Sequence, residues 1–160
     1  MTYQQAQISC RQKFGSYYSG RLVEPMSIEI GKALVTKAKA LNVIGSSSHA
    51  VWIGYDQIGR GNGDFKYAST GIKSPLDSVT GFSNIDGDSG NANCMTLEDN
   101  GNGGHLDDEG CESVFNSICF LKGVPFLFAH IQINQQNNCD YLVRLIRDFL
   151  ILVYSTVLYK

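Results

Sequence analysis

The chain has 160 residues, a formal net charge of −2, a pI near 5.9 and five cysteines. That length suits one domain with an ordinary core, and the acidic balance argues against a nucleic-acid binder, which would carry a basic stripe. No Cys-x-x-Cys pair is present, so a structural zinc site of the finger or ribbon type is not expected. Four cysteines can pair and one is left over, which fits an oxidising compartment. The Met1 segment has no basic region followed by an apolar run, so it does not read as a signal peptide. Either the chain is a fragment of a secreted precursor, or its cysteines are reduced.

Thr2 to Gln5 reads as a helix start, with Thr2 as cap and Gln5 completing a capping box. Tyr3, Ala6, Cys10 and Phe14 follow at helical spacing, which puts Cys10 on the inner face, and Gly15 is placed as the C-terminal cap. Arg21–Val23 is a short strand. Ser27 caps a second helix whose apolar stripe is Ile30, Leu34, Ala38 and Leu41, with Lys32, Lys37 and Lys39 on its solvated face.

Val51-Trp52-Ile53-Gly54-Tyr55 is the clearest strand, β-branched and aromatic with the single Trp. Gly59-x-Gly61-x-Gly63 follows it in a turn. It is not a phosphate loop, because no helix pattern follows and the glycine spacing is wrong. Phe65–Tyr67 is a second strand. Thr70–Gly90 reads as a long ordered loop. Ala92–Leu97 and Val114–Leu121 read as strands, with an acidic turn between them. Helices first and short strands after predict an α+β fold with an antiparallel sheet. Pro125–Ile133 can form a strand. Beyond it, Tyr141–Lys160 is apolar but broken by Arg144, Arg147 and Asp148, and its uninterrupted part is too short to span a bilayer. The chain thus divides into a domain over residues 1–122 and an apolar tail over 123–160 that packs on the domain or lies on a surface.

From Ser74 to Leu121 there is no Lys or Arg, yet the span holds nine acids: Asp77, Asp86, Asp88, Glu98, Asp99, Asp107, Asp108, Glu109 and Glu112. Folding gathers these charges, and a hard cation held by carboxylate oxygens would relieve their repulsion. The alternative is a solvated acidic loop with no ion. Asp86-x-Asp88-x-Gly90 does not continue as an EF-hand loop, because Asn91 stands at position six and Leu97 at position twelve. None of His49, His105 and His130 lies beside a Ser or Cys nucleophile motif, so an enzyme is not expected. His105, in the acidic turn, reads as a solvated residue, with weak metal ligation as its alternative.

The order of these pieces resembles the C-type lectin-like domain over about residues 2–122. A cysteine-bearing helix and a second helix come first. Trp52-Ile53-Gly54, Phe65-x-Tyr67-x-Ser69-x-Gly71 and an acidic loop follow, then Asn93-Cys94, Cys111 and Ile118-Cys119. The resemblance implies two disulfides, Cys10–Cys119 and Cys94–Cys111, and a secreted or extracellular setting. It also implies truncation ahead of the first helix, where the family has one more strand.

Calcium-dependent members hold sugar through two triplets. The first maps onto Leu106-Asp107-Asp108, where Leu106 replaces a Trp. The second falls on Asn84-Ile85-Asp86 or on Asp88-Ser89-Gly90. Neither has the family's proline, and Ala92 stands where the family places an acidic ligand. The resemblance therefore implies a calcium and carbohydrate site drawn from Asn84, Asp86, Asp88, Asp107 and Asp108, with carbohydrate or glycoprotein as partner. The alternative is a calcium-independent module for a protein or other non-sugar ligand. Cys139 is expected to stay unpaired within the domain, as a small buried residue or as the site of an intermolecular disulfide.

Overall fold

The computed structural model describes residues 1–12, 19–45, 49–61, 63–76, 82–84, 92–99, 101, 103–122 and 131–134. Two helices, α1 (Tyr3–Gln12) and α2 (Ile28–Ala40), flank a sheet. Its strands are β1 (Ser19–Leu22), β2 (Ala50–Asp56), β3 (Lys66–Tyr67), β4 (Ser83–Asn84), β5 (Ala92–Glu98), β6 (His105–Gly110), β7 (Asn116–Lys122) and β8 (Ile131–Asn134). The strand order is β1-β7-β2-β5-β6-β4, with β3 on β2 and β8 on β7.

The helix starts form as their cap residues dictate. Gln5 N–H donates to Thr2 Oγ1 at 3.4 Å, and Thr2 N–H donates to Gln5 Oε1 at 3.0 Å. This reciprocal pair satisfies two backbone donors that a helix start leaves open. Ser27 Oγ accepts from Ile30 N–H at 3.3 Å. α2 ends where Asn42 takes φ 55°, with Lys37 and Lys39 in the last turn, where cations meet the negative end of the helix dipole.

β2 is buried along its whole length. Val51, Ile53 and Tyr55 join one core with Leu34, Val35 and Ala38 of α2, whereas Trp52 joins a second core with Tyr3, Ala6 and Cys10 of α1. β2 therefore reads as an apolar run rather than an alternation, because both its faces are covered. Trp52 is packed edge-on against Tyr3 and Phe115, with ring centroids 5.5 and 5.0 Å away, and its indole N–H donates to the Met1 carbonyl at 3.0 Å. Tyr67 donates its hydroxyl to the Pro25 carbonyl, which ties β3 to the entry of α2.

Both expected disulfides are present. Cys10 and Cys119 are 5.4 Å apart at Cα, and Cys94 and Cys111 are 5.2 Å apart. The first locks α1 onto β7. The second closes the turns around β5 and β6.

Two features differ from the sequence reading. The sheet is mixed, because β2–β7 and β4–β6 pair parallel. Strand propensity reports that a strand exists but not which neighbour it takes, and β7 returns alongside β2 in the same direction. The acidic turn before Cys111 is instead β6, six residues paired antiparallel to β5 from His105 to Gly110. Its acids carry low strand propensity, but the β5 ladder and the Cys94–Cys111 bridge override it.

β8 lies in the expected tail. Ser117, Cys119 and Phe120 each have partners on both sides: Trp52, Leu22 and Arg21 on one, Asn134, Gln132 and Ile131 on the other. β8 thus occupies the β7 edge opposite β1 and β2. Phe14, Gly15, Asp86, Asp88 and Cys139 lie outside the described residues. No helix among the described residues is long and apolar enough to cross a membrane.

Candidate functional site

β5 and β6 carry the acidic centre of the molecule. Their register sets Cys94 against Glu109, Met95 against Asp108, Thr96 against Asp107, Leu97 against Leu106 and Glu98 against His105. Side chains alternate across a strand, so Met95, Leu97, Leu106 and Asp108 share one face, and Thr96, Glu98, His105, Asp107 and Glu109 share the other. Leu106 is buried in the main core and fills that place without an aromatic ring.

The turn between the strands requires glycine. Gly104 has φ +101°, and a Cβ there would meet Val35 Cγ2 at 2.5 Å and the Glu98 carbonyl at 3.1 Å. This close approach seats the start of β6 on α2 and sets His105 opposite Glu98.

Glu98 is 6% exposed. Thr96 Oγ1 lies 3.0 Å from its Oε1 and 3.1 Å from the Asp107 carbonyl, within hydrogen-bond reach of both. His49 Nε2 stands 3.6 Å from Oε1, and His105 Nε2 stands 4.0 Å from Oε2. Burial pushes the Glu98 carboxyl above its ordinary range and the Asp107 charge adds to this, while the Thr96 hydroxyl and the two imidazoles oppose it. Donor atoms of Glu98, His105 and Asp107 lie within 4.8 Å of one another, as do those of His49, Glu98 and Glu109. His49 is exposed and sets its ring edge-on to Phe115 at 5.6 Å.

Of the residues singled out from the sequence, Asn84 and Asp107 are brought together. They are register partners in the parallel β4–β6 pair. Asp108, next along β6, is half-buried on the opposite face. His105 is not a solvated loop residue: its side chain is 16% exposed and lies on a strand. The gathering of His49 and Glu109, and of His105 and Asp107, around Glu98 was not legible in the sequence, because it depends on the β5–β6 register. Two residues flanking a tight glycine turn, Glu98 and His105, are the one local signal for it.

The family model for the lectin C-type domain matches residues 1–120. The chain belongs to the C-type lectin domain family. Solved structures with the C-type lectin fold align over most of it. The C-type lectin CEL-I from Cucumaria echinata is 18% identical, with TM-score 0.62, covering 76% of this chain and 84% of that one. Human lithostathine is 21% identical, with TM-score 0.55 and 74% of each chain covered. The mouse scavenger receptor C-type lectin carbohydrate-recognition domain is 20% identical, with TM-score 0.51, covering 74% of this chain and 80% of that one. Comparison with curated protein sequences returns no match. In this C-type lectin domain, the Cys10–Cys119 disulfide and the buried Trp52 hold α1 against the sheet. The Glu98 cluster lies on the face of β5–β6 away from the α2 core.

Proposed function

We propose that this C-type lectin domain binds carbohydrate with the help of a calcium ion at the β6 edge, through Asn84, Asp86, Asp88, Asp107 and Asp108. The observation that carries the reading is the β4–β6 pair. It sets Asn84 in register with Asp107, so the chain runs on to Asp86 and Asp88 from a strand paired with the one that carries Asp107 and Asp108. The donor chemistry fits: four carboxylates and one amide are hard oxygen ligands, in a span from Ser74 to Leu121 that holds no Lys or Arg of its own. When bound, the ion supplies exchangeable coordination positions that vicinal sugar hydroxyls can take. The Asp and Asn side chains accept the hydrogen bonds of those hydroxyls.

The partner on this reading is a carbohydrate or glycoprotein outside the cell, where both disulfides persist. The domain binds rather than catalyses, and Cys139 is available to join two chains.

A second reading is a calcium-independent module for a protein or other non-sugar ligand. The divergence of Asp107 and Asp108 across the two faces of β6 favours it.

Calorimetric titration separates the two. The first reading expects calcium binding with Kd in the range of about 10⁻⁴–10⁻³ M, as for extracellular modules. A sugar panel then shows binding in calcium that is lost in chelator. Sugar binding that survives chelation, or none with calcium saturating, favours the second reading.

A further inference from the structure

We propose that Glu98, His105 and Asp107 form a second metal site, selective for a zinc-class cation over calcium. It does not depend on the calcium reading, although Asp107 belongs to both ligand sets. Three observations carry it.

The first is the donor set. One imidazole nitrogen and two carboxylate oxygens lie within 4.8 Å of one another on one face of β5–β6. Calcium takes oxygen ligands, whereas imidazole with carboxylate suits zinc and its neighbours. A tetrahedral zinc with bonds of about 2.0–2.1 Å holds its ligand atoms about 3.4 Å apart. The His105 Nε2 to Glu98 Oε2 distance of 4.0 Å is within a small side-chain rotation of that.

The second is an unsatisfied imidazole. His105 Nδ1 is shielded from solvent and has no hydrogen-bond partner among the described residues. Its Nε2 is 4.0 Å from Glu98, beyond hydrogen-bond reach. Among the described residues, no protein group thus holds either ring nitrogen by a hydrogen bond, and Nε2, the nitrogen that faces Glu98, is the one open to a cation.

The third is the burial of Glu98. Its ion-pair partners among the described residues are His49 and His105, with no Lys or Arg at the carboxylate. A carboxylate 6% exposed and facing Asp107 is stabilised by a divalent cation. Thr96 Oγ1, 3.0 Å from Oε1, fixes the carboxylate as an outer-shell partner does. Three protein ligands leave one position of a tetrahedral zinc open.

The test is titration of the full chain with zinc and, separately, with calcium, followed by calorimetry and by imidazole NMR. One zinc per chain is expected to saturate, shifting the His105 ring resonances before those of His49 and His130, while calcium leaves the His105 ring unmoved. His105→Ala removes no oxygen donor from the calcium set. It should weaken zinc at least tenfold and leave any calcium response intact, and His49→Ala should keep zinc affinity within about threefold. The NMR arm needs no variant, so a misfolded His105→Ala does not leave the question open. The proposal is overturned if zinc moves the His49 or His130 ring first, if calcium moves the His105 ring as zinc does, or if folded His105→Ala binds zinc as the unmutated chain does.

Discussion

Tyr3 and Asp56 meet in the interior, where the phenol of α1 donates to Asp56 Oδ2 at the end of β2 over 2.9 Å. Arg60 Nη2 holds the other oxygen, Oδ1, at 2.6 Å. Burial first, then the Asp56 charge, push the Tyr3 phenol well above its ordinary range. In the folded state Tyr3 therefore stays neutral while the unfolded chain ionises above about pH 10. Tyr3 costs nothing below that pH, and its burial subtracts stability as pH rises beyond it. Tyr3→Phe should cost about 1.5–3 kcal/mol at pH 7, the range for a hydrogen bond to a charged group. The same variant should show a shallower loss of stability above pH 10, with the gap to the unmutated protein narrowing. Urea unfolding from pH 7 to 11 measures both, and parallel curves would contradict the assignment.

The two disulfides should differ in worth. They close separations of 109 and 17 residues. On loop entropy alone these correspond to about 4.7 and 3 kcal/mol. Cys10→Ser with Cys119→Ser should therefore lower Tm more than Cys94→Ser with Cys111→Ser. The reverse order would mean that the Cys94–Cys111 bridge acts mainly on the native state, by holding the β5–β6 register.

β8 is expected to protect a sheet edge. It pairs with β7 on the edge opposite β1 and β2, and an uncovered edge is a site for association. Deleting residues 123–160 should lower both solubility and Tm, as light scattering and a thermal melt would show. A shortened chain that stays monomeric with its Tm unchanged would contradict this.

Much of the frame was legible because local signals and packing agree. The Thr2–Gln5 box, the Ser27 cap, the α2 stripe and the β2 run all form where their residues indicate. The cysteine pairing came through resemblance rather than spacing. What stayed hidden depends on register. His105–Gly110 lacks β-branched residues and looks like a turn, so the meeting of Glu98 with His105 could not be seen until β5 and β6 were paired. Asn84 is similar. Nothing in Phe82-Ser83-Asn84 announces a two-residue strand, and only the parallel pair with β6 puts it beside Asp107.

The calcium claim is tested most directly by the thermal melt of the unmutated protein in millimolar calcium and in chelator. A cation bound only by the folded state stabilises by about 2.7 kcal/mol at 100 times its Kd. A rise in Tm is therefore predicted. It should vanish in Asp108→Ala and persist in Asp99→Ala, whose carboxylate is instead bonded to Lys39 Nζ at 2.6 Å on the surface. An unmutated protein whose Tm is the same with and without calcium would contradict the account.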